Sequence, residues 1–161
     1  MRIEIKALFR SFSWAIRGIS IGLRERNFRF HLTAVCYVTV AGLLADLSHA
    51  ELCILCLCFG LVTATELVNT AIENLCDRVT TEWDPMIRDA KDIAAGAVMM
   101  MAIFSIAVAV ILFAHPQPIC AILMKLKQNI GIDIALLVSI PIAVGFIFAI
   151  EQKGENSNEC K

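Results

Sequence analysis

Charge is scarce in this chain. Of its 161 residues 18% are Asp, Glu, Lys or Arg, and 58% are hydrophobic. A soluble domain carries about 25% charged and about 45–50% apolar residues, so these proportions exclude a water-soluble globule and point to a membrane-embedded one. One domain suits the length. Other absences narrow the chemistry. The sequence holds no GxxxxGK[ST] loop and no GxGxxG, so a nucleotide site here has to be built without a glycine-rich phosphate cradle. Cys53, Cys56 and Cys58 have no second CxxC or His pair to complete a zinc site. Seven cysteines in all, an odd number, argue against a disulfide framework and read as small reduced thiols filling helix contacts. The first 30 residues lack a continuous apolar core followed by a small-residue cleavage site, so no cleavable signal peptide is expected. There is no internal repeat and no low-complexity segment.

What is present is unevenly distributed. Arg2, Lys6, Arg10, Arg17, Arg24, Arg26 and Arg29 crowd the amino-terminal stretch against only Glu4 and Glu25, whereas acids dominate residues 51–92. Within 3–24, Leu8, Phe12, Ile16, Ile19 and Leu23 recur on one helical face and Lys6, Arg10, Ser13, Arg17 and Arg24 on another. A basic amphipathic helix of this kind lies in the membrane interface, with Trp14 placed to anchor at headgroup level.

Four apolar runs follow, at 32–47, 52–79, 93–113 and 130–150. The first is short against the ~20 residues a bilayer core demands, so its helix is expected either to begin before His31 or to sit beside a longer partner. A polar loop at 78–92, broken by Pro85, separates the second and third runs. His115-Pro-Gln-Pro ends the third, and 120–129 reads as a short connection. Pro141 inside the fourth run is tolerable within a bundle. The expectation is an all-α membrane protein with an amphipathic surface helix, three core transmembrane helices and a possible fourth carboxyl-terminal span. It divides into 1–30 (interfacial helix and polar cluster), 31–114 (catalytic core) and 115–161 (an added apolar segment and polar tail). The positive-inside rule places the amino terminus and the 78–92 loop in the cytoplasm, although Lys125 and Lys127 then fall outside.

The second run carries the chemistry. Asn69, Glu73 and Asp77 lie 3, 7 and 11 residues beyond Glu66, at about 300°, 340° and 20° around a helix, so the four share a stripe under about 90° wide and about 16 Å long. A carboxylate near the centre of a span costs about 2.5–3.5 kcal/mol even on lenient scales, so such acids face a partner rather than lipid. Magnesium suits them, being a hard ion held by one or two carboxylates plus phosphate oxygens. Glu25 is placed to complete such a site with Glu73, and Arg29 and Lys91 to neutralise phosphates. Asn69 can donate to a phosphate oxygen and accept from a hydroxyl. Glu66, the deepest, is placed to take the proton of a lipid hydroxyl. Carboxylates, an amide and cations gathered at a membrane surface are what phosphoryl transfer needs. The competing readings are a cation channel or transporter using the acidic stripe as a pathway, and a non-catalytic scaffold held together by polar contacts.

Glu25, Asn27, Arg29 and His31, then Glu66-Leu-Val-Asn69-Thr-Ala-Ile-Glu73 with Asp77, then Ala90-Lys91-Asp92 with Gly96-Ala97, together resemble the prokaryotic diacylglycerol kinase family, over about residues 6–114. The resemblance implies a homotrimer of small helical subunits with active sites shared between neighbours, ATP as co-substrate and magnesium as cofactor. It implies Glu66 as catalytic base, Glu25 and Glu73 as metal ligands, and Arg10, Asn69, Asp77, Lys91 and Asp92 as the ATP- and phosphate-contacting set. Ser13, Trp14 and Arg29 fall where the lipid substrate is met. His31 and the Ala-Ala-Gly-Ala run resemble the undecaprenol kinase branch more than the diacylglycerol branch. The expected function is thus an ATP-dependent lipid kinase of the bacterial inner membrane, with diacylglycerol as the alternative substrate.

Overall fold

The computed structural model describes residues 2–148, with side chains from Lys6 onward, and among these residues every regular element is a helix. The tail at 151–161 and the last two residues of the fourth apolar run lie outside the described residues.

Helix α1 (Arg2–Gly22) carries the amphipathic pattern, and every side chain from Lys6 to Ser20 is exposed. The helix stops at a buried glycine, where a Cβ would collide with the Leu67 side chain. Gly22 therefore allows α1 to close down on α3 beside Glu66. Helix α2 (Arg26–Leu44) begins in the polar cluster, with Glu25 as its extended N-cap. The short first run is thus lengthened at its amino-terminal end, through His31. Asp46 turns the chain with φ 55°, a left-handed conformation that short polar side chains tolerate. Ser48 then opens α3 (His49–Val79) with a capping box, its hydroxyl accepting from Glu51 N and its backbone N–H donating to the Glu51 carboxylate, which satisfies donors the first helical turn leaves over.

The 78–92 segment is more helical than its composition suggests. Helix α3 continues to Val79, and α4 (Pro85–Phe113) begins at the very proline read as a breaker. Proline at the first helical position costs no hydrogen bond. Asp84 caps the new helix, accepting from Met86 N at 2.8 Å and Ile87 N at 3.2 Å. The same logic corrects the reading of 120–129 as a connection. Pro116 starts α5 (Pro116–Gln128), and α6 (Ile130–Phe148) follows after one residue, Asn129.

Three helices, α3, α4 and α6, are long and apolar enough to cross a membrane. The possible fourth span of the sequence reading is thus one of the most apolar elements. The expected first span, α2, does not reach that apolarity because Arg26 and Arg29 occupy its first turn.

Polar contacts fix the directions of the helices. Lys125 of α5 donates to Leu43 O and to Asp46, at 2.6 Å, at the far end of α2. Tyr37 and Ser139 meet at 2.8 Å midway, and Arg29 Nη1 donates to Phe146 O at 2.8 Å. Helix α6 therefore runs antiparallel to α2. Few apolar side chains are buried, Leu55, Val62, Ala94 and Val98 among them, while dozens of large ones on every long helix face outward. In water that would be an aggregate; in a bilayer it is the surface lipid requires. All six described cysteines are free.

Candidate functional site

The acidic stripe continues an apolar seam. The buried residues of α3 include Leu55, Val62, Glu66, Asn69 and Cys76, separated by three, four or seven, the spacing of a single helical face. The same face that packs against α2 and α4 as Leu and Val at one end becomes Glu and Asn toward the other. A helix cannot turn its packing face away partway along, so Glu66 and Asn69 are carried inside the bundle at 3% and 6% exposure.

Each buried polar group is met by another element or by its own helix. His31 Nε2, from α2, lies 3.2 Å from Glu66 Oε1. Asn69 Nδ2 donates to Glu73 Oε1 at 2.9 Å, one turn on. Among the described residues Asn69 Oδ1 is buried without a hydrogen-bond partner. A buried acceptor left unpaired costs about 1–3 kcal/mol, so this oxygen marks where a donor from outside the chain is wanted. One further turn along, Asp77 is exposed and paired directly with Lys91 of α4. The stripe thus runs from an enclosed carboxylate to a wet carboxylate–ammonium pair.

The remaining sequence-derived residues separate into three groups. Arg29 is 1% exposed. It donates to Phe146 O through Nη1 and, at 3.4 Å each, to Glu25 O through Nε and Arg24 O through Nη2. Its guanidinium therefore ties the α1–α2 elbow to α6. Asp92 is exposed and faces Arg88 one turn back on the same helix, at 3.6 Å. Glu25, at the mouth of the elbow, and Arg10, Ser13 and Trp14 on α1 are exposed. Among the described residues these last four make no hydrogen bond or ion pair with the stripe, and no group of three or more His, Cys, Asp or Glu side chains gathers as a metal cage.

Two partners escaped the sequence reading. His31 was available to it, since a carboxylate inside a span demands a partner and His31 stands at the start of the preceding apolar segment. The Phe146 carbonyl was not: backbone acceptors carry no sequence signal.

The sequence signature described as Prokaryotic diacylglycerol kinase matches residues 13–113. Over 113 residues the chain is 42% identical to an undecaprenol kinase of Bacillus subtilis, covering 70% of this chain and 92% of that protein. It is 38% identical over 112 residues to a diacylglycerol kinase of Synechocystis sp., covering 68% of this chain and 63% of that protein. It is 29% identical over 99 residues to a diacylglycerol kinase of Sinorhizobium sp., covering 62% of this chain and 72% of that protein. No solved structure matches the chain. The signature ends where α4 ends, so α5 and α6 lie beyond it.

Proposed function

This chain belongs to the prokaryotic diacylglycerol kinase family and is a lipid kinase, and from that premise we propose that its alcohol is undecaprenol, phosphorylated at the expense of ATP. The observation that carries the reaction is the buried Glu66 at the closed end of a stripe whose open end is the Asp77–Lys91 pair. That gradient matches the two substrates: a hydroxyl presented from the membrane and a triphosphate arriving from water. The undecaprenol assignment rests on the B. subtilis relative, 42% identical and matched over 92% of its length. Diacylglycerol is the second reading, favoured by the names of the two more distant relatives.

The chemistry follows from the placement. The lipid hydroxyl oxygen attacks the γ-phosphorus, its proton passes to the Glu66 carboxylate, and the bond from that phosphorus to the β–γ bridging oxygen breaks, releasing ADP. A base held out of water and within reach of the hydroxyl acts most effectively on such a proton. Asn69 holds Glu73 through its Nδ2, and its Oδ1, without a hydrogen-bond partner among the described residues, is placed to accept from a donor on the nucleotide side of Glu66. Lys91 lies at the stripe's exposed end as a cation for the ATP phosphates arriving from water, with Asp77 holding its ammonium in place. Arg10 and Asp92 complete the nucleotide-facing set from α1 and α4.

Magnesium fits the donors present. Glu73 is half-buried and Glu25 exposed, both hard oxygen donors, and this ion asks for only one or two carboxylates because it keeps waters and phosphate oxygens. Bound there it would neutralise charge on the phosphates.

Arg10, Ser13 and Trp14 are exposed and, among the described residues, make no hydrogen bond or ion pair with their own chain's stripe. That supports a homotrimer in which the α1 helix of one subunit lines the site of its neighbour, with Ser13 and Trp14 against the lipid. Arg29 serves that site indirectly, by fixing the elbow that carries Glu25. The basic amino-terminal residues support a cytoplasmic orientation for the site in the bacterial inner membrane.

The test is purified protein in mixed micelles with labelled ATP, offered undecaprenol and diacylglycerol side by side. Faster label transfer to undecaprenol is expected. Preference for diacylglycerol overturns the substrate assignment, and transfer to both at equal rates removes the basis for choosing.

A further inference from the structure

We propose that His31 is a positioning residue for the transfer step. Its imidazole holds Glu66 through Oε1, so that the other carboxylate oxygen, Oε2, is the one that takes the alcohol's proton. The inference rests on the reading of Glu66 as the base and adds the group that orients it.

Three observations carry it. First, Glu66 is 3% exposed, and among the described residues the His31 imidazole is the one basic group paired with its carboxylate, Nε2 to Oε1 at 3.2 Å. A carboxylate with no partner on either oxygen would rotate freely about its last bond and present its lone pairs in no fixed direction. One anchored oxygen removes that freedom. Second, the imidazole is itself held. The Phe30 ring packs edge-on against it, with centroids 5.7 Å apart and planes at 81°, and its side chain is only 19% exposed. Third, the anchor comes from a different helix. His31 stands in the second turn of α2, whose N-cap is Glu25 and whose first turn is bolted by Arg29 to α6. The base on α3 and the elbow on α2 are thereby registered to each other. Placement to within a fraction of an ångström is what phosphoryl transfer draws on, because most of its catalysis is positioning.

The bland alternative is that His31 merely offsets a buried charge, and it predicts different behaviour. Charge compensation alone requires an imidazolium. Positioning requires only an N–H aimed at Oε1, which a glutamine amide reaches almost as well as imidazole Nε2. The experiment compares His31→Phe, His31→Gln and Glu66→Gln in the full-length protein in mixed micelles with labelled ATP. Turnover is normalised to folded protein by thermal unfolding. We expect His31→Phe to lower kcat by about tenfold or more with KM for ATP unchanged, and His31→Gln to recover most of the loss. Wild-type kcat in folded His31→Phe overturns the proposal, and so does a His31→Gln variant as slow as His31→Phe. Wild-type turnover in Glu66→Gln instead removes the base reading on which the proposal stands, whatever the His31 variants do.

Discussion

The two ends of the α3 stripe use the same kinds of side chain in opposite ways. At the closed end Glu66 and Asn69 are buried, and at the elbow so is Arg29; Glu66 is met by His31 of α2, Asn69 by Glu73 of its own helix, and Arg29 by main-chain carbonyls. At the open end Asp77 and Asp92 stand in water, and their partners Lys91 and Arg88 are themselves a third or more exposed. The difference shows that acid count says little about a membrane site. A buried carboxylate must be held by the fold and can act as a base, whereas an exposed one is screened and can only hold or steer an ion.

Breaking the closed end has the largest effect. Glu66→Gln keeps shape and neighbours but cannot accept the alcohol's proton, and turnover should fall on the order of 10²–10⁴-fold, with the unfolding transition in detergent retained. Turnover within a factor of about two of wild type would erase the distinction between the two ends.

Arg29→Met is the next largest, and its effect is on stability. It strips the hydrogen bonds from the carbonyls of Arg24, Glu25 and Phe146, which should cost about 1–3 kcal/mol, read as a lower midpoint in denaturant titration. An unchanged midpoint would show that α6 does not depend on this bond.

Asn69→Leu lies between the two ends in position. Glu73 loses its donor, and the KM for Mg-ATP should rise by about tenfold, measured by nucleotide titration of initial rates. Should KM stay constant while kcat drops, Asn69 serves the hydroxyl and not the nucleotide side.

The smallest stability effect belongs to the open end. Lys91→Gln should leave the unfolding temperature nearly unchanged, because exposed pairs contribute little and salt screens them, yet it should lower kcat. A large drop in unfolding temperature, insensitive to added salt, would place this pair among the buried ones.

The sequence made some of this legible and hid the rest for physical reasons. The stripe was readable because offsets of 3, 7 and 11 permit only one face of a helix. The amphipathic α1 was readable for the same reason. Helix α5 was not, since Pro-Gln-Pro looks like a break until the prolines are recognised at the start of a helix, where they cost nothing. The ends of α3 and α4 were blurred because polar residues near Pro85 suggest a loop, although Asp84 caps a helix there. Arg29 looked like a phosphate ligand because its charge is visible in sequence. Its partner, a carbonyl 117 residues away, is not.

The seam joining α2 to α6 has a topological consequence. On the sequence reading, in which α2 spans although it falls short of the apolarity of α3, α4 and α6, α2, α3 and α4 make three traverses, and a chain that stopped at Phe113 would finish on the face opposite its start. Helix α6 brings Phe146 back to Arg29 and makes the parity even. A reporter fused after Phe148 should therefore share a compartment with one fused ahead of α1, and one inserted after Phe113 should report the other side.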